Sequence, residues 1–116
     1  MQFKINNKTW EIKELSQEEI KQEMKKHFET PENEGKYFGI TYSDIQTIFL
    51  DKDLCNERKR TTLLHELAHC YIETFITHLS DRSYSNEDVC DIVSNSHDII
   101  RDIVDEYFKE ENHKWT

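Results

Sequence analysis

His65, Glu66 and His69 stand in the run His65-Glu66-Leu67-Ala68-His69, at a spacing that chemistry can use. Two histidines four residues apart sit one above the other on a helix face, so both imidazoles can reach one divalent cation. An imidazole-rich donor set favours zinc. Glu66 leans over the same site. Zinc lowers the pKa of a water to about 7, so a carboxylate can take its proton and pass it to a leaving amine. The competing reading is a surface helix that carries two histidines by chance. The helical wheel argues against it. Leu64, Leu67, Ala68, Tyr71 and Phe75 form an apolar stripe, with the histidines at its margin, reached through Ile72 and Ile76. Ligands at the edge of a buried stripe suit a site sunk between helices.

A catalytic zinc site takes three protein ligands and leaves one position open. The best source of the third is Asn86-Glu87-Asp88-Val89-Cys90-Asp91, with Glu87 as the ligand. Asp91 lies one helical turn later and can accept the second ring N–H of a ligand histidine, His65 first, which fixes its tautomer. The plainer reading is an acidic first turn favoured by the helix dipole. Val89, Ile92, Val93, Ile100, Ile103 and Tyr107 mark the apolar stripe of that helix, nearly opposite Glu87 and Asp91. The two acids therefore face a metal only if the helix start is sandwiched between core and site. Other donors are weaker. His78 lies nine residues past His69, and Cys70 and Cys90 sit at wheel positions that favour packing. Ile72 and the residues around Ile76 hold neither the glycine nor the histidine of the metzincin pattern. Tyr84, Tyr71 and His97 are candidate oxyanion donors, each more simply structural.

The elements that must position these residues are readable from periodicity. Phe3 and Ile5, then Trp10 and Ile12, alternate with polar residues around Asn6-Asn7-Lys8, which predicts a β-hairpin. Ser16 and Glu19 fit a capping box and Leu15 with Ile20 a hydrophobic staple, opening a helix that continues through Met24, His27 and Phe28. Thr30 to Gly35, with the only proline, is a loop. Tyr37–Tyr42 and Thr47–Leu50 are rich in strand formers, with a turn over Ser43 to Gln46. Helices are expected from about Asn56 to Leu79 and from about Asn86 to Lys109, with a frayed polar tail.

Composition bounds the remainder. The chain has 116 residues, 34% of them charged and 35% hydrophobic, which predicts one domain with a modest core. A net charge of −9 and the lack of a dense basic patch argue against nucleic-acid partners. Cys55, Cys70 and Cys90 are odd in number and form no CxxC pair, so reduced thiols in a cytoplasmic setting are expected, with two of them buried as small hydrophobes. Neither a signal core nor a membrane-length apolar run is present in the sequence.

With HELAH and Asn86-Glu-Asp-Val-Cys-Asp placed, the chain resembles the gluzincins, in which a ligand Glu follows HExxH by about twenty residues and an Asp follows four later. Gly39-Ile-Thr-Tyr, Ile48-Phe-Leu-Asp, Thr62-Leu-Leu-His-Glu-Leu-Ala-His and Glu87-Asp-Val-Cys-Asp together resemble the ImmA/IrrE-type metallopeptidases, over roughly Tyr37 to Tyr107. The resemblance implies an α+β fold: a small antiparallel sheet of three or so strands packed on about three helices, as a minimal zincin-like domain of phage or bacterial origin. Family members commonly cleave or inactivate a repressor. No equivalent of the oxyanion-binding His and Tyr of thermolysin-like enzymes stands out.

The expectation is a zinc-dependent peptidase acting on a protein substrate, with His65, His69 and Glu87 on the metal, Glu66 as base and then acid, and Asp91 orienting a histidine. The substrate would add as a strand at an exposed edge over Thr47 to Leu50. The rival is a metal-stabilised protein that sequesters a partner without cutting it. A helical scaffold without metal is the third reading.

Overall fold

A computed structural model describes residues 1–31, 35–75 and 85–113, with the backbone alone for Asn86 and residues 111–113. The chain opens with the hairpin of β1 (Gln2–Ile5) and β2 (Lys8–Leu15). Ile5 pairs with Lys8, so Asn6-Asn7 make the turn, and Asn6 takes a φ of 56°, which Asn tolerates. Helix α1 (Gln17–Lys26) starts at Ser16, whose hydroxyl accepts from the Glu19 N–H while the Glu19 carboxylate accepts from the Ser16 N–H. His27 caps the other end, and Phe28 has already left the helix at a φ of 62° with its side chain 99% exposed. Phe28 therefore does not extend the apolar stripe of α1.

Strands β3 (Gly39–Tyr42) and β4 (Thr47–Asp51) follow, then α2 (Asn56–Phe75) and α3 (Asn86–His113). The last expected residues of α2, Ile76 to Leu79, lie outside the described residues, as do His78 and Tyr84.

The sheet order is β1-β2-β4-β3. The family resemblance implies three or so antiparallel strands, and the residue pattern marks four; the sheet has four and is mixed. β2 runs parallel to β4, from Glu11 opposite Thr47 to Leu15 opposite Asp51, while the other two pairs are antiparallel. A chain that passes through α1 and β3 before β4 has the length that parallel pairing needs. The same order corrects the expected docking edge. β4 is internal and buried at all five positions, so Thr47 to Leu50 have no free edge; the edge strands are β1 and β3, and β3 is the one beside β4.

Side chains alternate across the sheet. Ile48 and Leu50 join Phe3, Ile5, Trp10 and Ile12 against Leu63, Leu67 and Cys70 of α2 and Ile100, Ile103, Val104 and Tyr107 of α3. Phe49 faces the other way, into a smaller cluster with Ile20 and Met24 of α1 and Tyr42 of β3. The sheet is thus covered by α2 and α3 on one face and α1 on the other. Tyr42 also stacks on His27, ring centroids 3.7 Å apart, and donates to Glu29.

The buried stripe of α2 is rotated from the expected one. Leu63, Leu67, Cys70 and Tyr71 are buried, whereas Leu64 and Phe75 are exposed. On α3, Ile100, Ile103, Val104 and Tyr107 are buried but Val89, Cys90 and Val93 are exposed, Val93 at 61%. Only the second half of α3 meets the sheet core, so of the two cysteines expected in the core only Cys70 is there. No helix among the described residues is long and apolar enough to cross a membrane.

Candidate metal centre

Burial of Leu63, Leu67 and Cys70 against the sheet leaves His65 and His69 on the outer flank of α2, where both are exposed. One turn apart, their rings approach with centroids 5.0 Å apart at 78°. Glu66, one residue round the helix from His65, points instead toward β3 and is only 6% exposed. The potential ligand atoms of His65, Glu66 and His69 all lie within 4.8 Å of one another. Two ligands of one tetrahedral zinc stand roughly 3.3 Å apart when each bond is about 2.05 Å. Side-chain rotation covers that difference for the two imidazoles, which are donors zinc takes, with the Glu66 carboxylate beside them. The residues present therefore fit a zinc-type cation.

β3 holds the carboxylate. Gly39 and Thr41 share the strand face turned to α2, while Ile40 and Tyr42 face α1. The Thr41 hydroxyl donates to Glu66 Oε2 at 2.6 Å. A Cβ on Gly39 would stand 2.7 Å from Thr62 Cγ2 and 3.2 Å from Glu66 Cγ, so the missing side chain is what lets strand and helix come this close. The start of β3 is itself pinned. The Gln17 amide donates to Tyr37 O at 2.7 Å and to Asp51 Oδ2 at 2.9 Å, and its oxygen accepts from the Tyr37 N–H at 3.0 Å.

A second tether fixes α2 itself. Lys59, buried less than two turns before His65, reaches Glu14 Oε1 of β2 at 2.7 Å, and Tyr107 of α3 donates to the other oxygen of the same carboxylate. One carboxylate thus joins strand, metal-site helix and last helix.

Two cavities flank Glu66 along the free side of β3. One, of about 270 Å³, is bordered by Ile40, Thr41, Ser43, His69 and Glu73. The other, of about 380 Å³, is bordered by Lys36, Phe38, Arg58, Thr62 and His65, with the Arg58 guanidinium 5.0 Å over the Phe38 ring. Glu66 borders both, so an extended chain on this edge would pass the carboxylate and both imidazoles.

Glu87 and Asp91 lie in the first two turns of α3, both exposed, and the described metal cluster contains neither. Val89, Cys90 and Val93, on the same turns, are exposed as well. Of the candidate oxyanion donors, Tyr71 is buried with its ring 4.8 Å from Phe75, and His97 is exposed on α3. The Cys70 thiol is pushed up to about 12, first by burial and then by the Glu66 charge, in keeping with a packing role. Sequence reasoning missed Gly39, Thr41 and the Lys59–Glu14–Tyr107 tie. The signal for the first pair was available: a small residue and a hydroxyl alternate with Ile40 and Tyr42, marking the strand face that a helix approaches closely.

The family model described as IrrE N-terminal-like domain (Peptidase_M78) matches residues 15–96, well over half of the chain. No curated protein and no solved structure matches.

Proposed function

The chain belongs to the IrrE N-terminal-like domain family of peptidases, and on that premise we propose that it hydrolyses peptide bonds in a protein substrate at a zinc ion held by His65 and His69. The observation that carries this reading is the meeting of two exposed imidazoles and a buried carboxylate within 4.8 Å, beside an open strand edge. Residues 1–116 act as one domain in a cytoplasmic setting. Glu87 is the third ligand in this reading, supplied from the start of α3, with Asp91 to accept the outer N–H of His65. Their support is donor chemistry and the spacing of Glu87 from HELAH.

Bound zinc supplies Lewis acidity, lowering the pKa of a water to about 7 and polarising the scissile carbonyl. The remaining work falls to the chain. The substrate adds along the free edge of β3, since β3 pairs only with β4 among the described strands. That places the backbone of an extended peptide over Glu66. The carboxylate takes the proton of the attacking water and returns it to the departing amine. The Lys59–Glu14–Tyr107 tie and the Gln17 clamp hold α2 and β3 in place while this happens.

The test is Glu66→Gln, assayed on a fluorogenic peptide library with zinc-loaded protein. Removing a general base costs about 10²–10⁴-fold in rate, and zinc content should stay at the wild-type level. Cleavage by Glu66→Gln at the wild-type rate would exclude this mechanism. Partner binding without cleavage by either protein would favour sequestration. Glu87→Ala should weaken zinc binding, and an unchanged affinity removes Glu87 from the ligand set.

A further inference from the structure

A carboxylate within 4.8 Å of two imidazole ligand atoms can do either of two jobs. It can become a further metal ligand, or it can stay off the metal and accept protons. Spacing in the sequence does not distinguish them, because Glu66 is adjacent to His65 in both cases.

The contact from β3 does. The Thr41 hydroxyl donates to Oε2 of Glu66 at 2.6 Å, within the range of a charge-assisted O–H···O⁻ bond. Its alternative acceptor, the Glu66 carbonyl oxygen, is at 3.4 Å, so the carboxylate is the dominant partner. Among the described residues no hydrogen bond reaches Glu66 Oε1, and the side chain borders both cavities. One oxygen is therefore held by the strand and the other is left to the groove. The holder is itself rigid. Thr41 is opposite Ile48 of the central strand, and its branched Cβ restricts χ1. Gly39, two residues earlier on the same face, brings the strand close to the Glu66 stem.

We propose that Thr41 is the positioning residue that withholds Glu66 from the metal and keeps it as a base. This rests on the reading of Glu66 given above. A strand-to-helix staple without this role would affect stability alone. The assignment predicts instead a change in metal affinity that exists only while residue 66 is a carboxylate.

The experiment measures zinc dissociation constants of the full chain by competition with a chromophoric chelator, alongside circular dichroism to confirm folding. The variants are Thr41→Val, which keeps the shape and removes the donor, and Thr41→Ser, which keeps the donor. Each is made with Glu66 and with Glu66→Gln. Freed of its tether, Glu66 turns to the metal, so Thr41→Val should bind zinc about ten-fold more tightly, an effect of the size that residues in direct contact exchange. Its kcat on peptide should fall about 10–100-fold with KM little changed. Thr41→Ser should restore both quantities, and in the Glu66→Gln background Thr41→Val should leave zinc affinity alone. One comparison needs no change at Thr41: Glu66→Gln should bind zinc within about two-fold of wild type, because a withheld carboxylate contributes no ligand bond.

An affinity unchanged by Thr41→Val, or changed equally with Gln at 66, overturns the assignment. So does a large loss of zinc affinity in Glu66→Gln alone. Wild-type protein that binds no zinc overturns this assignment and the metal reading together. Wild type that binds zinc and shows the coupling but cleaves nothing upholds the withholding of Glu66 and sinks only the peptidase reading.

Discussion

Replacing Gly39 by alanine tests whether the close approach of β3 to α2 builds the site. Gly39 has no positive φ, so alanine suits its backbone and the cost is steric. The new Cβ would meet Thr62 Cγ2 at 2.7 Å, Glu66 Cγ at 3.2 Å and Leu50 Cδ2 at 3.2 Å. Carbon pairs settle at about 3.5–4.0 Å, so the overlap with Thr62 approaches 1 Å. Leu50 is fully buried and Thr62 half-buried, which leaves little room to yield. Overpacking of this kind costs about 1–3 kcal/mol. The reduced freedom of the unfolded alanine chain returns about 0.4–1 kcal/mol. The net expectation is a loss of about 1–2 kcal/mol, or a fall in Tm of about 4–8 °C for a chain of this size. Thermal unfolding followed by circular dichroism reads it directly. Thr62→Ser removes the methyl group nearest the clash, so Gly39→Ala should cost markedly less in that background. A Gly39→Ala protein as stable as wild type, or one equally destabilised with Ser at 62, would refute the packing argument.

Two further outcomes follow from the core. Burial and the Glu66 charge raise the Cys70 thiol to about 12, while Cys55 and Cys90 are exposed; at pH 8 a thiol-reactive chromophore should label two cysteines at once and the third only in denaturant, and three equally fast thiols would show that α2 is not packed as described. Because the folded thiol lies above its unfolded value of about 8.5, the associated stability is complete below that pH and declines as pH rises toward 12, which chemical denaturation at stepped pH should reveal. Lys59→Met removes the ammonium that donates to Glu14 at 2.7 Å; a loss of about 2–3 kcal/mol is expected, and pairing it with Glu14→Gln should cost less than the two changes summed, so strict additivity in urea melts would deny the tie.

The parts of this protein that the sequence declares are local. The Asn6-Asn7 turn, the Ser16/Glu19 capping box and the pairing of His65 with His69 depend on residues a few positions apart, whose geometry the backbone sets wherever the segment lies. The resemblance to ImmA/IrrE-type proteins rested on such segments and agrees with the family match over residues 15–96. Wheel patterns were less decisive. Leu64, Phe75, Val89 and Val93 are apolar at helical spacing yet exposed, while Leu63, Cys70 and Val104 are in the core. Periodicity says which residues share a face, but only the neighbouring elements decide which face is covered.

Tertiary structure alone decided that β4 is internal, running parallel to β2, and so passed the free edge from Thr47–Leu50 to Gly39–Tyr42. It also turned Glu66 inward while His65 and His69 stayed exposed, by bringing Thr41 to it across 25 residues of chain. The cause is the same in each case. Strand order and the approach of strand to helix are set by which buried surfaces fit together, and that fit involves residues whose separation in sequence carries no period to read.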